Sequence, residues 1–246
     1  MSVDAWGPGA DVALARSTGL LGLGPGSVAS GSLTTAAHPR IAELARRHPG
    51  VTIPRTAAVF EALVAAILEQ KVTGTEARRV WHGLVRTYGE PAPGPPEVGL
   101  RLLPPPALLA ALPYYRYHAL GLERRRADLI RAVASRAPWF DAAVELPLPE
   151  AYARLQAVPG IGPWSAAEVG VRALGDVDAV SVGDYHVPSI VTWVLAGEPR
   201  GTDARMLELL EPYRGRRALV VRLLELSGAR VPRRGPRLSP RSIEGI

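Results

Sequence analysis

Leu155-Gln156-Ala157-Val158-Pro159-Gly160-Ile161-Gly162-Pro163-Trp164 decides how this chain is read. An amphipathic run from Glu150 to Val158 ends in Pro-Gly-Ile-Gly, and a second helical run starts at once at Pro163. Two glycines two apart let the backbone turn sharply and bring bare N–H groups to the surface. The helix that follows adds the positive end of its dipole, with proline at its first position. Amides held in front of a helix N-terminus form a site for one phosphate. A dinucleotide-binding Gly-x-Gly requires a strand before it, and the run here has helical spacing instead. The stretch therefore reads as a helix-hairpin-helix, a device for gripping the DNA backbone. An ordinary tight helix–helix turn is the plainer alternative.

Working outward, helical spacing dominates from Pro39 onward, with clear runs at about 38–48, 56–70, 74–88, 105–112, 123–137, 149–158, 163–174, 185–196, 203–211 and 215–227. Proline and glycine mark the breaks, notably Pro91-Ala92-Pro93-Gly94-Pro95-Pro96 and Leu103-Pro104-Pro105-Pro106. Residues 1–35 are rich in Gly, Ser and Thr, hold one short helical candidate near Asp11–Ser17, and read as a poorly structured lead-in. The tail 231–246 is basic and proline-rich and reads as disordered. Residues 36–230 form the helical domain, with one lobe at 56–145 and a second made of 36–55 plus 146–230. The expected fold class is all-α and two-lobed, with the substrate cleft between the lobes.

Composition narrows the partners. Lys+Arg exceed Asp+Glu by 29 to 23 and the pI is about 10.1, which suits a polyanion without demanding one. Lys71 is the only lysine. Zero cysteines exclude disulfides, thiolate zinc sites, a cysteine nucleophile and a four-cysteine iron–sulfur cluster. The longest apolar stretch, Ala57 to Leu68, is interrupted by Glu61 and too short to span a bilayer. No secretory signal follows Met1, so a cytoplasmic, nucleoid-associated monomer with no membrane partner is expected.

A hairpin of this kind, followed about twenty residues later by a Gly-rich turn and an aspartate, resembles the HhH-GPD superfamily of DNA base-excision glycosylases. The resemblance is to its 3-methyladenine DNA glycosylase II (AlkA-like) branch. It rests on Pro159-Gly160-Ile161-Gly162-Pro163-Trp164, Ala173-Leu174-Gly175-Asp176, Asp184-Tyr185 and the run from Phe60 to Val72, and covers roughly residues 50–230. No alternating strand pattern represents the N-terminal β-domain that AlkA-like proteins usually carry, so that domain is expected to be reduced or absent.

The resemblance assigns catalysis to Asp184. Breaking an N-glycosidic bond leaves positive charge on the sugar, which a fixed carboxylate stabilises, and the same carboxylate can orient or deprotonate water. An alkylated purine is already cationic and leaves without an acid, so a single carboxylate suffices, unlike the pair of an ordinary glycosidase. The same aspartate also suits a helix N-cap. Strand-cutting relatives place a nucleophilic lysine where this chain has Trp164, so hydrolysis by water is expected. The aromatic faces of Trp164 and Tyr185 suit a cationic base, with a packing role for Trp164 as the alternative. Glu168, one turn after Trp164, departs from the tyrosine common in the branch, and serves either a cationic base or a solvated face.

The turn Gln70-Lys71-Val72-Thr73 is where the superfamily inserts a side chain into the gap left by a flipped nucleotide. Lys71 would be that wedge, flanked by Gln70 and Thr73 as DNA contacts; a solvated turn is the alternative. Gly160, Ile161 and Gly162 would hold the phosphate. The resemblance further implies a monovalent cation under the hairpin, on the carbonyls of Gln156, Val158 and Ile161, and no other cofactor. The partner implied is double-stranded DNA carrying damaged bases. Rival readings are a non-catalytic module for bent or damaged DNA and a glycosylase/lyase for oxidised bases.

Overall fold

The computed structural model describes residues 2–24 and 26–232. In chain order its helices are α1 (Ala10–Leu20), α2 (Pro39–Arg47), α3 (Val59–Glu69), α4 (Gly74–Tyr88), α5 (Pro106–Ala111), α6 (Tyr114–His118), α7 (Arg124–Ala134), α8 (Ala137–Asp141), α9 (Leu148–Gln156), α10 (Pro163–Val169), α11 (Val187–Ala196), α12 (Asp203–Leu210) and α13 (Arg217–Leu226). The described residues contain no β-strand, only an isolated antiparallel bridge between Pro91 and Arg101. No described helix is long and apolar enough to cross a membrane.

Contacts divide the chain into two units. One comprises Ala57–Ser165 with the described residues up to Ser17; the other comprises Thr18–Thr56 with the chain from Ala166 to the end of the described residues. The division falls inside α10 rather than at the 145/146 boundary read from the sequence. The reason is packing: α9 lies against the short 3₁₀ turn Ala142–Glu145, and Leu129 of α7 sits beside Gly160.

In the first unit, Leu63, Ile67, Leu84, Ile130 and Phe140 are fully buried, each such side chain contributing roughly 1.5–3 kcal/mol. Tyr117 is buried with them, and its hydroxyl donates to Leu109 O at 2.6 Å, meeting its polar requirement. The second unit has its own core, which includes Ile41, Leu44, Val191, Met206, Leu210, Leu219 and Leu223.

The lead-in reading of residues 1–35 is corrected. The helical candidate near Asp11–Ser17 is α1, whereas within the part read as poorly structured Ser30–Leu33 form a 3₁₀ turn with Ser30 and Leu33 buried. Leu33 anchors into the second core, and Ser30 N donates to Val51 O at 2.8 Å, so tertiary contacts order a stretch whose composition suggested none. The basic tail, apart from Val231 and Pro232, lies outside the described residues. The run expected at 163–174 is also modified. α10 ends at Val169 and gives way to a π-helical turn over Gly170–Leu174, closed by Gly175 at φ +68°.

Candidate functional site

The hairpin is built on one strained position and one open one. α9 ends at Gln156; Val158 and Ile161 turn inward and are buried, and Ile161 N donates to Val158 O at 3.0 Å. Gly160 has φ +105°, and a Cβ there would lie 3.0 Å from Leu129 Cδ2. Gly162 has no positive φ, and a Cβ there would meet nothing within 4 Å. The two glycines therefore do different things: Gly160 makes the turn, and Gly162 leaves the surface bare. The amides of both find no acceptor among the described residues, directly before the N-terminus of α10.

The turn after α3 is held against this hairpin. Gln70 Nε2 donates to Gly160 O and to Ser165 Oγ, each at 2.9 Å. Its amide is thus employed within the chain, fixing the hairpin carbonyl and the first turn of α10. Lys71 is exposed and adopts φ +55°, a left-handed conformation that costs a non-glycine residue about 1–2 kcal/mol. Such strain persists only where surrounding structure imposes it. Thr73 caps α4: Glu76 N donates to Thr73 Oγ1 at 3.3 Å, while Thr73 N and Oγ1 donate to Glu76 Oε2 at 2.8 and 2.7 Å.

α3 itself is capped from distant sequence at both ends. Phe60 N donates to Asp141 Oδ1 at 2.9 Å, and Arg126 Nη1 donates to Leu68 O at 2.7 Å. Arg126 is buried, and burial drives its pKa below the ordinary guanidinium value despite the opposing charge of Glu123. Of the three consecutive arginines Arg124, Arg125 and Arg126, the last thus closes the C-terminal end of α3, ahead of the Lys71 turn. On α6, Tyr115 is exposed with Arg116 over its ring, while Tyr114 lies under Arg124.

Asp184 lies half-buried on a loop of the second unit. Its Oδ1 accepts from His186 N at 2.6 Å and Val187 N at 2.8 Å, so it caps α11, and that helix starts two residues later than the run read from the sequence. Asp184 N in turn donates to Ser181 O at 3.1 Å. Two further carboxylates hold the loop. Ser181 Oγ donates to Glu168 Oε1 at 2.6 Å, and Gly183 N is shared by both oxygens of Asp203 at 3.1 Å. The second oxygen of Glu168 pairs with Arg172 at 2.9 Å. Glu168 thus carries a neutralising partner and acts on the Asp184 loop through Ser181. A third carboxylate, Asp178, takes a bidentate grip from Arg217 at 2.9 and 2.6 Å and accepts from Gly215 N at 2.7 Å.

Of the expected base-pocket residues, Trp164 is half-buried, whereas Tyr185 is 85% exposed, with its ring edge-on to His186 at 4.9 Å. Sequence spacing did not single out Ser181, Asp203 or His186. Asp203 opens α12 as an acidic first-turn residue, and nothing local indicates that it reaches back to Gly183.

No family model matches the chain. It is 30% identical over 149 residues to a probable bifunctional transcriptional activator/DNA repair enzyme AlkA of Mycobacterium tuberculosis, covering 60% of this chain and 30% of that protein. It is 30% identical over 151 residues to DNA-3-methyladenine glycosylase 2 of Escherichia coli, covering 60% of this chain and 52% of that protein. The chain thus spans about half or less of the length of the curated relatives it matches. Among solved structures, a 3-methyladenine DNA glycosylase from Archaeoglobus fulgidus superposes with a TM-score of 0.72 at 21% identity, covering 88% of this chain and 74% of that one. A 3-methyladenine DNA glycosylase of fission yeast, solved with abasic DNA, gives 0.66 at 16% identity over 83% and 99%. The fold is that of the helix-hairpin-helix DNA glycosylases, and the sequence match is to their AlkA-like branch.

Proposed function

We propose that this chain is a monofunctional DNA N-glycosylase that hydrolyses the glycosidic bond of alkylated, cationic purines in duplex DNA. The observation that carries the reading is the carboxylate of Asp184, held by two main-chain N–H groups on a loop itself fixed by Glu168 and Asp203. A carboxylate fixed in advance stabilises developing sugar charge without having to reorganise at the moment of reaction. The leaving base needs no proton because it is already cationic, and water, oriented by Asp184, completes the hydrolysis. The only lysine, Lys71, is the wedge for the flipped nucleotide, exposed on its turn in a left-handed conformation. The bare amides of Gly160 and Gly162 take one DNA phosphate.

The carbonyls of Gln156, Val158 and Ile161 are uncharged oxygen donors that would hold a monovalent cation, Val158 O through the lone pair left by its bond from Ile161 N. Bound there, the ion would add positive potential beneath the phosphate site. The test of the function is purified protein incubated with methylated duplex DNA. Free alkylated purine and an abasic strand, with no borohydride-trapped adduct, are expected. Binding without base release would overturn the reading in favour of a non-catalytic damage-binding module.

A further inference from the structure

Beside the hairpin, within the first unit, lies an open concavity of about 410 Å³. Leu129 of α7 lines it together with Val158, Pro159 and Gly160 of the hairpin, and Arg125 and Arg136 border it. Neither guanidinium has an ion-pair partner among the described residues. The one carboxylate on its lining, Asp128, is met by Arg131 at 3.4 Å and Arg124 at 3.6 Å. The concavity is therefore positive, and its hairpin wall belongs to the same turn whose Gly160 and Gly162 amides find no acceptor among the described residues.

We infer that this concavity binds a second phosphate of the DNA backbone, next to the one held by the hairpin amides, through Arg125 and Arg136. The inference rests on the DNA-binding reading above. A guanidinium offers a planar fork that matches phosphate oxygens. Two such groups, unpaired and bordering one depression, present the chemistry that an anionic backbone satisfies and a neutral ligand does not. Leu129 links the two phosphate sites: it supports Gly160 on one side and lines the concavity on the other. The contact is sequence-independent, so it adds affinity and register without lesion preference.

The experiment measures the salt dependence of binding to an abasic-analogue duplex for wild type, Arg125→Ala, Arg136→Ala, the double variant and a control, Arg86→Ala. Arg86 is exposed on α4 of the same unit and lines no part of the concavity. One lost phosphate contact lowers the log–log slope by about one unit. Each single variant is expected to weaken binding by the same factor on unrelated sequences. The double variant should lower the slope by about one to two units, Arg→Lys replacements should restore most of it, and Arg86→Ala should leave it unchanged. Phosphate ethylation of wild-type complexes should block binding at two adjacent positions, and at only one in the double variant. An unchanged slope, or an equal loss in Arg86→Ala, would overturn the second site. Inorganic phosphate that competes equally against wild type and double variant would likewise count against it. Base release by wild type, scored separately, tests the glycosylase reading independently. A double variant with a lowered slope, together with base release by wild type, supports both.

Discussion

The hairpin and the Asp184 loop are held by opposite means. The hairpin rests on apolar packing and main-chain bonds: Ile161 and Val158 buried, Gly160 fitted against Leu129, and a neutral amide from Gln70 on its carbonyl. The Asp184 loop is held by charge, with Glu168, Asp178 and Asp203 each accepting from loop or helix donors. A surface that meets a polyanion is better without carboxylates, and the hairpin has none. A loop that stabilises positive charge tolerates them. The proposed phosphate-gripping part should therefore respond to shape, and the proposed catalytic part to charge and pH.

The largest effect expected is on chemistry. Asp184→Asn keeps an oxygen to cap α11 but removes the charge, so excision should fall by roughly 10²–10⁴-fold while DNA affinity and melting temperature stay close to wild type. Single-turnover release from methylated duplex measures it, and a wild-type rate would break the contrast at its catalytic end. Unfolding of the variant would mean that the cap, not the charge, is the main role of Asp184.

The two hairpin glycines sharpen the other end. Gly160→Ala forces a Cβ into Leu129 from a left-handed backbone and should cost about 1–3 kcal/mol of stability. Gly162→Ala meets open space and should change stability by no more than about 0.5 kcal/mol, yet lower DNA affinity on all sequences, because the added methyl stands where a phosphate must approach. Thermal melts and binding titrations on the pair separate the roles; equal destabilisation would show that the distinction is false.

A third prediction concerns acid. Burial alone pushes the Asp178 carboxyl up; hydrogen bonds from the Arg217 side chain and main chain, its charge and the Gly215 N–H outweigh this and hold it below the ordinary carboxylate value. A depressed folded pKa contributes stability that is present above the unfolded value of about 4 and is lost as pH falls through the folded one. At neutral pH Asp178→Asn should cost about 1–3 kcal/mol. The gap to wild type should close below about pH 4, whereas the gap for Gly160→Ala should not depend on pH. Melts across pH 3–7 would refute the assignment if the two gaps moved together.

The smallest effect expected is on Lys71. Lys71→Gly relieves the left-handed backbone but frees the unfolded chain, for a net change of about 0.5–1 kcal/mol. It should nevertheless lose activity on a fully paired lesion more than on one in a weakly paired site, where extrusion costs less. Equal losses on both substrates would refute the wedge.

Much of the site was legible because its signals are local. Pro-Gly-Ile-Gly between two helical runs, Asp184 ahead of a helix, and Thr73 with Glu76 three residues on are all written within a few residues. The order of Ser30–Leu33 was not legible, because Ser30 and Leu33 are fixed by Val51 and the second core rather than by their neighbours. Gln70 looked like a free polar residue in a DNA-facing turn until Gly160 and Ser165 were found against it, 90 and 95 residues away.

By itself the sequence determined the all-helical class, the hairpin, the lone lysine and the position of the carboxylate, since periodicity, turn chemistry and residue type act over one or two turns of chain. Only the tertiary structure decided which polar groups are already used. Arg126 caps Leu68 O, Glu168 serves Ser181 and Arg172, and Gly160 is confined by Leu129 while Gly162 is not. Hydrogen bonds and steric contacts are satisfied by whatever the fold brings within about 3 Å, and that proximity joins residues whose separation along the chain carries no local signal.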